Sequence, residues 1–359
     1  MNTANETILR IDLKKLEENF NFFKKKLDSG TKIIAVVKAF AYGHGDVKIS
    51  KKLEQLGTYA LWVSDFEEGV SLRESGIKTK IIVANPGIKS YRKIIRYNLD
   101  VVLYSHRLLD FYCNNKTNVN IHIKFNTGMN RYGFDPNDIK IIISKIIDNP
   151  HLKLISICSH LAAAENKKSD FTLKQIALFQ NITKKINKLL NKKIIFHLLN
   201  SHGVLNFPKK QMDAVRLGIG LYGSTDECKL KQISYLSSVI NQIRVVERGG
   251  GIGYRSAFVA EKKTSVAIIH VGYADGLNRK LSNSIGSVFI NNQECDIIGE
   301  ISMDSFAADI TEIDAKEGDL VEIFGPQLNV FDIAKKINTI PYEIYSTLNR
   351  RIKRVYSDS

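Results

Sequence analysis

The sequence has few of the residues that mark secreted or zinc-binding proteins. Its 359 residues include four cysteines, and no two of them form a Cys-x-x-Cys pair. Widely separated cysteines argue against both a zinc site and a disulfide framework. We therefore expect no bound metal and four buried thiols, at Cys113, Cys158, Cys228 and Cys295.

Long apolar runs are also missing. No stretch approaches the roughly 18 consecutive apolar residues that a membrane-spanning helix needs. The first seven residues, MNTANET, have neither the basic region nor the apolar region of an export signal. These two absences predict a cytoplasmic protein with no membrane partner.

Acidic residues are too few to balance the basic ones. The chain has 52 Lys and Arg against 37 Asp and Glu, for a formal net charge of +15. Such an excess indicates nucleic-acid binding when the basic residues collect on one face. Here they are dispersed, and runs such as residues 24–26 lie in helical patterns where a solvated face explains them. We therefore expect no nucleic-acid partner.

Short apolar runs recur along the first two thirds of the chain, and segments with the spacing of amphipathic helices separate most of them. Runs of this length and Val/Ile content are typical of buried parallel strands. Eight such strands alternating with helices predict a (β/α)8 TIM-type barrel, although an open doubly wound sheet has the same local pattern. The predicted strands are 32–39, 60–65, 80–85, 100–105, 119–126, 152–161, 194–201 and 214–223. The predicted helices are 46–57, 66–76, 89–98, 106–114, 137–148 and 171–192.

Beyond Cys228 the helical spacing disappears. This change predicts a barrel domain over residues 1–228 and a C-terminal β-rich domain over residues 229–359. We expect an N-terminal strand, residues 7–11, to join the β-rich domain, and Asp12 to cap a helix that runs to Lys26. The predicted strands of the second domain are 238–247, 264–274, 286–290, 296–302, 306–311 and 320–324.

Unusual polar residues fall near the carboxyl ends of the predicted barrel strands. Lys38 follows the first strand, where a partly buried amine forms Schiff bases readily, although a surface lysine is the simpler interpretation. Barrels of this type commonly bind phosphate through the loops after strands seven and eight. A phosphate site reached by a lysine suggests pyridoxal phosphate. The polar residues that a barrel would bring to one face are Lys38, Lys124, Arg131, His160, Asn200, Ser201 and Arg216.

The segments around these residues resemble the alanine racemase family, which are fold-type III pyridoxal-phosphate enzymes built from a barrel and a β domain. The resemblance runs nearly end to end. It implies an isomerase that interconverts L-alanine and D-alanine for peptidoglycan synthesis, as a head-to-tail homodimer with shared active sites. Six segments carry it in family order: AVVKAFAYGHG at 35–45, KFNTGMNRYGF at 124–134, AVRLGIGLYG at 214–223, GIGYRSAF at 251–258, HVGYADGLNR at 270–279 and ISMDSF at 301–306.

The resemblance also implies roles for individual residues. Lys38 would bind the cofactor as a Schiff base and serve as one α-proton base, and Tyr254 of the partner subunit would serve as the other. Arg131 would contact the substrate carboxylate, held by Lys124, a position that is often carbamylated. Arg216 would face the pyridine nitrogen with His160 beside it. The further residues implied are Tyr42, Asn200, Ser201, Gly218 and Ile219 for the cofactor, and Met303 and Tyr273 for the substrate.

The implied chemistry explains why two bases are needed. Racemisation removes an α-proton and returns one on the opposite face, so a base must stand on each side of the carbon. Tyr254 would serve only if neighbouring positive charge lowers its pKa from about 10. Arg216, with a pKa above about 12, would not donate its proton to the pyridine nitrogen.

Some positions depart from the family pattern. Arg350 stands in place of a phosphate-binding tyrosine, Glu300 in place of an entrance arginine, and Arg255 where glycine is frequent. Arg279 and Glu165 retain plausible entrance partners.

Alternative interpretations remain for individual residues and for the function of the whole protein. The residue alternatives are a loop tyrosine for Tyr254, a core histidine for His160, barrel salt bridges for the two arginines, a core methionine for Met303 and an ion-pairing Lys124. The functional alternatives are a racemase for serine, lysine or a broader set of substrates, a non-catalytic cofactor carrier, and a fold-type III decarboxylase.

Overall fold

The computed structural model describes residues 4–190, 193–225, 227 and 229–358. Cys228, at the predicted domain boundary, lies outside the described residues, as does Lys192 at the end of a predicted helix. The described residues form two compact units. One consists of Asn19–Ala41 and Asp46–Leu221, and the other of the described parts of Met1–Glu18, Tyr42–Gly45 and Tyr222–Ser359.

The chain begins with strand β1 (Ile8–Asp12) and helix α1 (Leu13–Lys26). The Asp12 carboxylate accepts a hydrogen bond from the Lys15 N–H at 2.9 Å, as the predicted helix cap requires.

Eight parallel strands then close into a barrel, so the predicted barrel is confirmed and the open sheet is wrong. They are β2 (Lys32–Val36), β3 (Ala60–Val63), β4 (Lys80–Val83), β5 (Asp100–Leu103), β6 (Val119–Lys124), β7 (Leu152–Cys158), β8 (Ile195–His197) and β9 (Ala214–Leu217).

All eight barrel strands end earlier than predicted. The predicted strand 214–223, for example, ends at Leu217, yet Ile219, Leu221 and Tyr222 beyond it are fully buried. An apolar run indicates that residues are buried, but it does not show where a strand ends. In this barrel the buried residues continue past the strands into the turns at their carboxyl ends. Those turns carry the residues of the site described below.

Helices lie between the barrel strands, and their faces follow the expected periodicity. In the seventh helix, Ile139, Ile142, Ile143 and Ile146 are buried, which is the i, i+3, i+4, i+7 pattern of one helical face. The six predicted helices are all present, with ends shifted by a few residues. The helices of this part of the chain are α2 (Lys38–Tyr42), α3 (Asp46–Gln55), α4 (Phe66–Glu74), α5 (Tyr91–Arg96), α6 (His106–Asn114), α7 (Ile139–Ile147), α8 (Asp170–Leu189) and α9 (Ser201–Asn206).

The other unit is β-rich, as predicted. Its longest strand pairs with three others, including β1, so the predicted joining of the N-terminal strand is confirmed. The predicted strand 264–274 is wrong beyond Ile269, because Asp275 accepts the Gly272 N–H at 2.9 Å and closes a 3₁₀ turn. The strands are β10 (Ser234–Val246), β11 (Gly251–Ile252), β12 (Phe258–Val259), β13 (Thr264–Ile269), β14 (Ser287–Ile290), β15 (Gln293–Ile298), β16 (Phe306–Asp309), β17 (Leu320–Phe324) and β18 (Lys353–Ser357).

Two short helices of this unit, α10 (Val330–Lys336) and α11 (Pro341–Thr347), are missing from the sequence-based prediction, because each spans too few residues to show a helical period. The described cysteines, Cys113, Cys158 and Cys295, are buried free thiols, as predicted. Among the described helices, none combines the length and apolar character needed to cross a membrane.

Two adjacent isoleucines of α7 test the packing of this helix on the barrel. Ile142 is fully buried and Ile141 is 54% exposed. We expect Ile142→Ala to lower the free energy of unfolding by about 2–5 kcal/mol, because it leaves a cavity, and Ile141→Ala to change it by less than about 0.5 kcal/mol. Urea unfolding of both variants measures the difference, and equal losses would contradict the assigned face.

Candidate active site

The chain leaves β2 through a strained turn that begins at Lys38. Ala39, Phe40, Ala41 and Tyr42 all have φ between 51° and 56°, so α2 is a single left-handed turn. Each residue other than glycine is destabilised by roughly 1–2 kcal/mol in this left-handed region of φ and ψ. Such a run persists only where the surroundings hold it, and strain of this kind is concentrated at functional sites.

Glu68 holds the start of the turn. One of its carboxylate oxygens accepts the Ala39 N–H at 2.6 Å, and the other accepts the Ser64 N–H at 2.6 Å. The carboxylate therefore ties the residue after Lys38 to the end of β3. Burial raises the pKa of Glu68, and these two hydrogen bonds oppose that effect.

The residues that follow the turn are held by the C-terminal segment. Arg354 donates to the Gly43 carbonyl through Nε at 3.1 Å and Nη2 at 2.9 Å, and the Tyr356 hydroxyl donates to the His44 carbonyl at 2.9 Å. Gly43 has φ 79°, and a Cβ there would lie 2.0 Å from the Tyr345 carbonyl oxygen. Glycine is required at this position for both its conformation and its close packing.

Lys38 has the electrostatics of a reactive amine. Burial lowers its pKa, the positive charge of Arg131 lowers it further, and Glu68 opposes both effects. A lysine with a lowered pKa carries more neutral amine at physiological pH, which is the nucleophilic form. The residue as a whole is exposed although its amine is partly desolvated, so the surface-lysine interpretation stays open.

Four further basic groups share this environment. Burial lowers the pKa of Lys124 to about 8; Cys158 opposes the shift, and Arg216, Arg131 and Lys38 add to it. Burial also lowers the pKa of His160 well below its usual value, with contributions from the same positive charges. The structure thus brings together Lys38, Lys124, Arg131, His160 and Arg216. A concentration of positive charge in a partly desolvated pocket favours an anionic ligand.

Arg216 is buried in β9, and four of its five N–H groups point at protein acceptors. Nη1 donates to His197 Nδ1 at 2.6 Å and to the His197 carbonyl at 3.2 Å. Nη2 faces the Ser159 and Leu198 carbonyls at 2.6 and 3.0 Å and His160 Nδ1 at 3.3 Å. Among the described residues, none accepts a hydrogen bond from Nε. His160 therefore accepts from Arg216, which supports its predicted place beside this side chain.

Ser201 joins the last two strand ends. Its hydroxyl oxygen accepts the N–H groups of Gly218 at 3.1 Å and Gly220 at 3.2 Å. Asn200 caps α9 by accepting the Gly203 N–H at 2.8 Å. The N–H of Ile219 makes no hydrogen bond within the part of the chain that the structure describes, so it is available to a ligand.

The predicted residues of the β-rich unit are exposed. Tyr254, Met303 and Tyr273 are 66%, 54% and 44% exposed, so a core role for Met303 is wrong. Tyr254 begins a short turn in which Arg255 has φ 58° and Ser256 has φ 50°. This turn borders a cavity of about 430 Å³ lined by Ile252, Gly253, Tyr254, Ile268, Ile298, Glu300, Ser302, Ser305, Phe306 and Ala307.

Glu300 pairs with two arginines of its own chain. Its two carboxylate oxygens accept from Arg255 Nη2 and Arg279 Nη2, each at 2.6 Å, and the hydrogen bond from Arg255 is the main cause that lowers the pKa of Glu300. Two of the departures from the family pattern therefore compensate each other. Arg350 and Glu165 are exposed.

Tyr42 lies in the β-rich unit rather than with the barrel residues. Its ring is buried against Tyr222, 4.7 Å away between centroids, and Tyr342, 5.8 Å away. Burial raises the pKa of its hydroxyl, so Tyr42 stays a neutral hydrogen-bonding group.

Two contributors were not foreseen from the sequence. Glu68 lies in no sequence motif that marks it as part of a site. His197, in contrast, interrupts an apolar strand just before Asn200, and a polar residue inside such a run is a signal for a buried interaction.

A closed parallel barrel with a lysine just after its first strand, followed by a β-rich unit, is the architecture of fold-type III pyridoxal-phosphate enzymes. Within that class, the chain belongs to the alanine racemase family. The family model for the alanine racemase N-terminal domain matches residues 11–226, and the model for the C-terminal domain matches residues 233–356. The predicted family and fold are confirmed.

Individual relatives match over nearly their whole length. The chain is 36% identical to the alanine racemase of Halothermothrix orenii, with 98% of this chain and 97% of the relative covered. It is 31% identical to alanine racemase 1 of Bacillus subtilis, covering 99% and 94%.

Solved structures of alanine racemases are similar to this chain over nearly its whole length. The alanine racemase of Clostridium difficile 630 superposes with a TM-score of 0.93 at 30% identity, covering 99% of this chain and 97% of that one. The Bartonella henselae alanine racemase, described with covalently bound pyridoxal phosphate, gives 0.91 at 30% identity, covering 99% and 100%.

Glu68→Gln tests the electrostatic control of Lys38. A carboxylate favours the charged ammonium, so its loss should lower the pKa of Lys38 further. We expect the pH dependence of pyridoxal-phosphate binding, followed by absorbance, to move to lower pH. The exposed neighbour Glu67 supplies the control, since Glu67→Gln should leave the profile in place. A shift to higher pH would contradict the assignment.

Proposed function

We propose that this protein interconverts L-alanine and D-alanine with pyridoxal phosphate, and so supplies D-alanine for peptidoglycan synthesis. Membership of the alanine racemase family over the full chain supports the activity. The observation that carries the proposal is the strained left-handed turn that begins at Lys38, whose partly desolvated amine shares its environment with other basic groups.

The residues present fit the cofactor. The neutral amine of Lys38 suits covalent binding of an aldehyde. The Nε–H of Arg216 is a free donor for an aromatic nitrogen, and the N–H of Ile219 is a free donor for a phosphate oxygen. When bound, the cofactor delocalises the negative charge that develops at the α-carbon.

The chain's own residues then handle the proton. Lys38 takes or returns it on one face of the α-carbon, since a lowered pKa increases the neutral, basic fraction of the amine. Tyr254 of the partner subunit serves the other face. Arg131 binds the substrate carboxylate, and Met303 and Tyr273 of the partner subunit line the substrate pocket.

Lys124 positions Arg131 in this proposal. A pKa of about 8 leaves a substantial neutral fraction of Lys124, and only a neutral amine reacts with carbon dioxide to form a carbamate. Carbamylation replaces a positive charge by a negative one beside Arg131, which exchanges a repulsion for an ion pair.

The homodimer and the domain division belong to the same proposal. Tyr254, Tyr273 and Met303 are exposed, which is typical of aromatic and methionine side chains that a partner covers. We place the boundary between the domains at residues 228/229, which the separate family models support. We also propose a cytoplasmic location, with which the free thiols of the described cysteines agree.

Lys38→Ala tests the activity itself. Without the amine, we expect the visible absorbance of the bound cofactor to disappear and alanine racemisation to fall by about 10²- to 10⁴-fold or more. Lys51→Ala, at an exposed lysine of the same unit, is the control and should retain both. A wild-type protein that does not racemise alanine in the presence of the cofactor would refute the proposal.

Subunit mixing tests whether active sites are shared. Lys38→Ala and Tyr254→Phe should each be inactive, but a heterodimer of the two has one intact site if each site uses Lys38 of one subunit and Tyr254 of the other. Random reassociation of equal amounts should therefore restore about a quarter of wild-type activity. A mixture of re-formed dimers that stays inactive would show that each site lies within one subunit.

A further inference from the structure

The barrel interior contains a continuous line of hydrogen-bonded side chains that leads away from the site. Arg216 Nη1 lies 2.6 Å from His197 Nδ1, and His197 Nε2 lies 2.9 Å from Ser156 Oγ. Ser156 Oγ lies 2.6 Å from His122 Nδ1, and His122 Nε2 lies 3.3 Å from Asp100 Oδ2. We call these five residues the buried polar chain. They come from five consecutive strands, β9 to β5, and all are at most 5% exposed.

The donors of the buried polar chain all point the same way. A guanidinium only donates, so His197 Nδ1 accepts and its Nε2 carries the hydrogen. That hydrogen goes to Ser156, whose own hydroxyl hydrogen goes to His122 Nδ1. His122 Nε2–H then donates to the Asp100 carboxylate. This assignment gives an acceptor to every hydrogen that lies between two of these five residues.

A neutral His197 suits this arrangement. Burial lowers the pKa of His197 well below its usual value, and the positive charge of Arg216 adds to the effect. Two further groups face Asp100: Asn120, which donates to Asp100 Oδ1 at 2.9 Å, and Arg73, whose pKa burial lowers against the opposing charge of Asp100.

The buried positive charge of Arg216 gives the buried polar chain an electrostatic role. Among the described residues, none places a carboxylate within ion-pair distance of its guanidinium, and an uncompensated buried charge is costly. A line of polarised neutral groups ending on a carboxylate compensates part of that charge from a distance. The interior of such barrels is ordinarily filled by Val, Ile and Leu, so a fully satisfied polar line there is a specific feature.

We propose that His197, Ser156, His122 and Asp100 are positioning residues for Arg216. The chain commits Nη1 to the barrel interior, which fixes the guanidinium plane and leaves Nε–H aimed at the ligand side. Because Arg216 keeps its proton and a single orientation, the cofactor nitrogen that it faces stays unprotonated. The inference rests on the proposed function, since it concerns the cofactor's contact with Arg216.

Transamination is the readout that a purely structural role would not move. In that side reaction the amino group of alanine passes to the cofactor, so that alanine and the cofactor aldehyde give pyruvate and the cofactor amine; the water released when the two condense is taken up again when pyruvate leaves. Protonation of the cofactor nitrogen favours transamination over racemisation. Misplacing Arg216 should therefore raise the amount of pyruvate formed per racemisation event.

Ser156→Ala and Asp100→Asn break the chain with minimal change of volume. For each we expect kcat for racemisation to fall by about tenfold or more, KM for alanine to change little, and the transamination ratio to rise by a similar factor. Ser156→Thr retains the hydroxyl and should restore much of the wild-type ratio. Thr58→Val is the control, because it removes a buried hydrogen bond to the Ile33 carbonyl outside the chain and should leave the ratio unchanged.

The wild-type enzyme supplies a test that does not depend on variants folding. Nitrogen-15 NMR of histidine-labelled protein with bound cofactor should show both His197 and His122 as neutral tautomers protonated at Nε2. The other tautomer, or a charged ring, at either residue would overturn the inference, as would unchanged ratios in both broken-chain variants of an enzyme that racemises alanine. A wild-type protein with no racemisation would instead refute the proposed function.

Discussion

Pairing of β2 with β9 closes the barrel, and the candidate site depends on this pairing. In its register Ile34 stands opposite Arg216, and Ala35 stands opposite Leu217. The strand that leads into Lys38 is therefore bonded to the strand that carries Arg216, although most of the barrel sequence separates them. A barrel in which this pairing failed would have two open edges, and the lysine and the arginine would lie at opposite ends of the sheet.

Closure also concentrates positive charge, and this has consequences for each group. Desolvation lowers the pKa values of Lys38, Lys124 and His160, and the positive charges around them act in the same direction, so all three are shifted towards their neutral forms. Arg216 remains charged, since even a lowered arginine pKa stays far above neutrality. The result is a permanent cation among amines and an imidazole that are shifted towards their neutral forms.

The strained turn after Lys38 shows how rigidity is obtained at the site. Its left-handed residues are unfavourable in isolation, and Glu68 holds its beginning while Arg354 and Tyr356 hold the residues after it. These partners come from sequence positions far apart on either side. Local sequence around Lys38 predicts a strand that continues to Ala39, because the run 32–39 has the length and Val/Ile content of a buried strand. Only the long-range hydrogen bonds make the turn the lower-energy conformation.

The sequence by itself determined the eight strands, the alternating helices and the β-rich second unit, because burial periodicity is a local property of the chain. It also determined the family, through segments such as those around Lys38 and Arg216. Tertiary structure decided where the strands end, how Glu300 is shared between Arg255 and Arg279, and that His197, Ser156 and His122 form a line behind Arg216. Those features depend on hydrogen bonds between residues on different strands, whose register and direction no local pattern records.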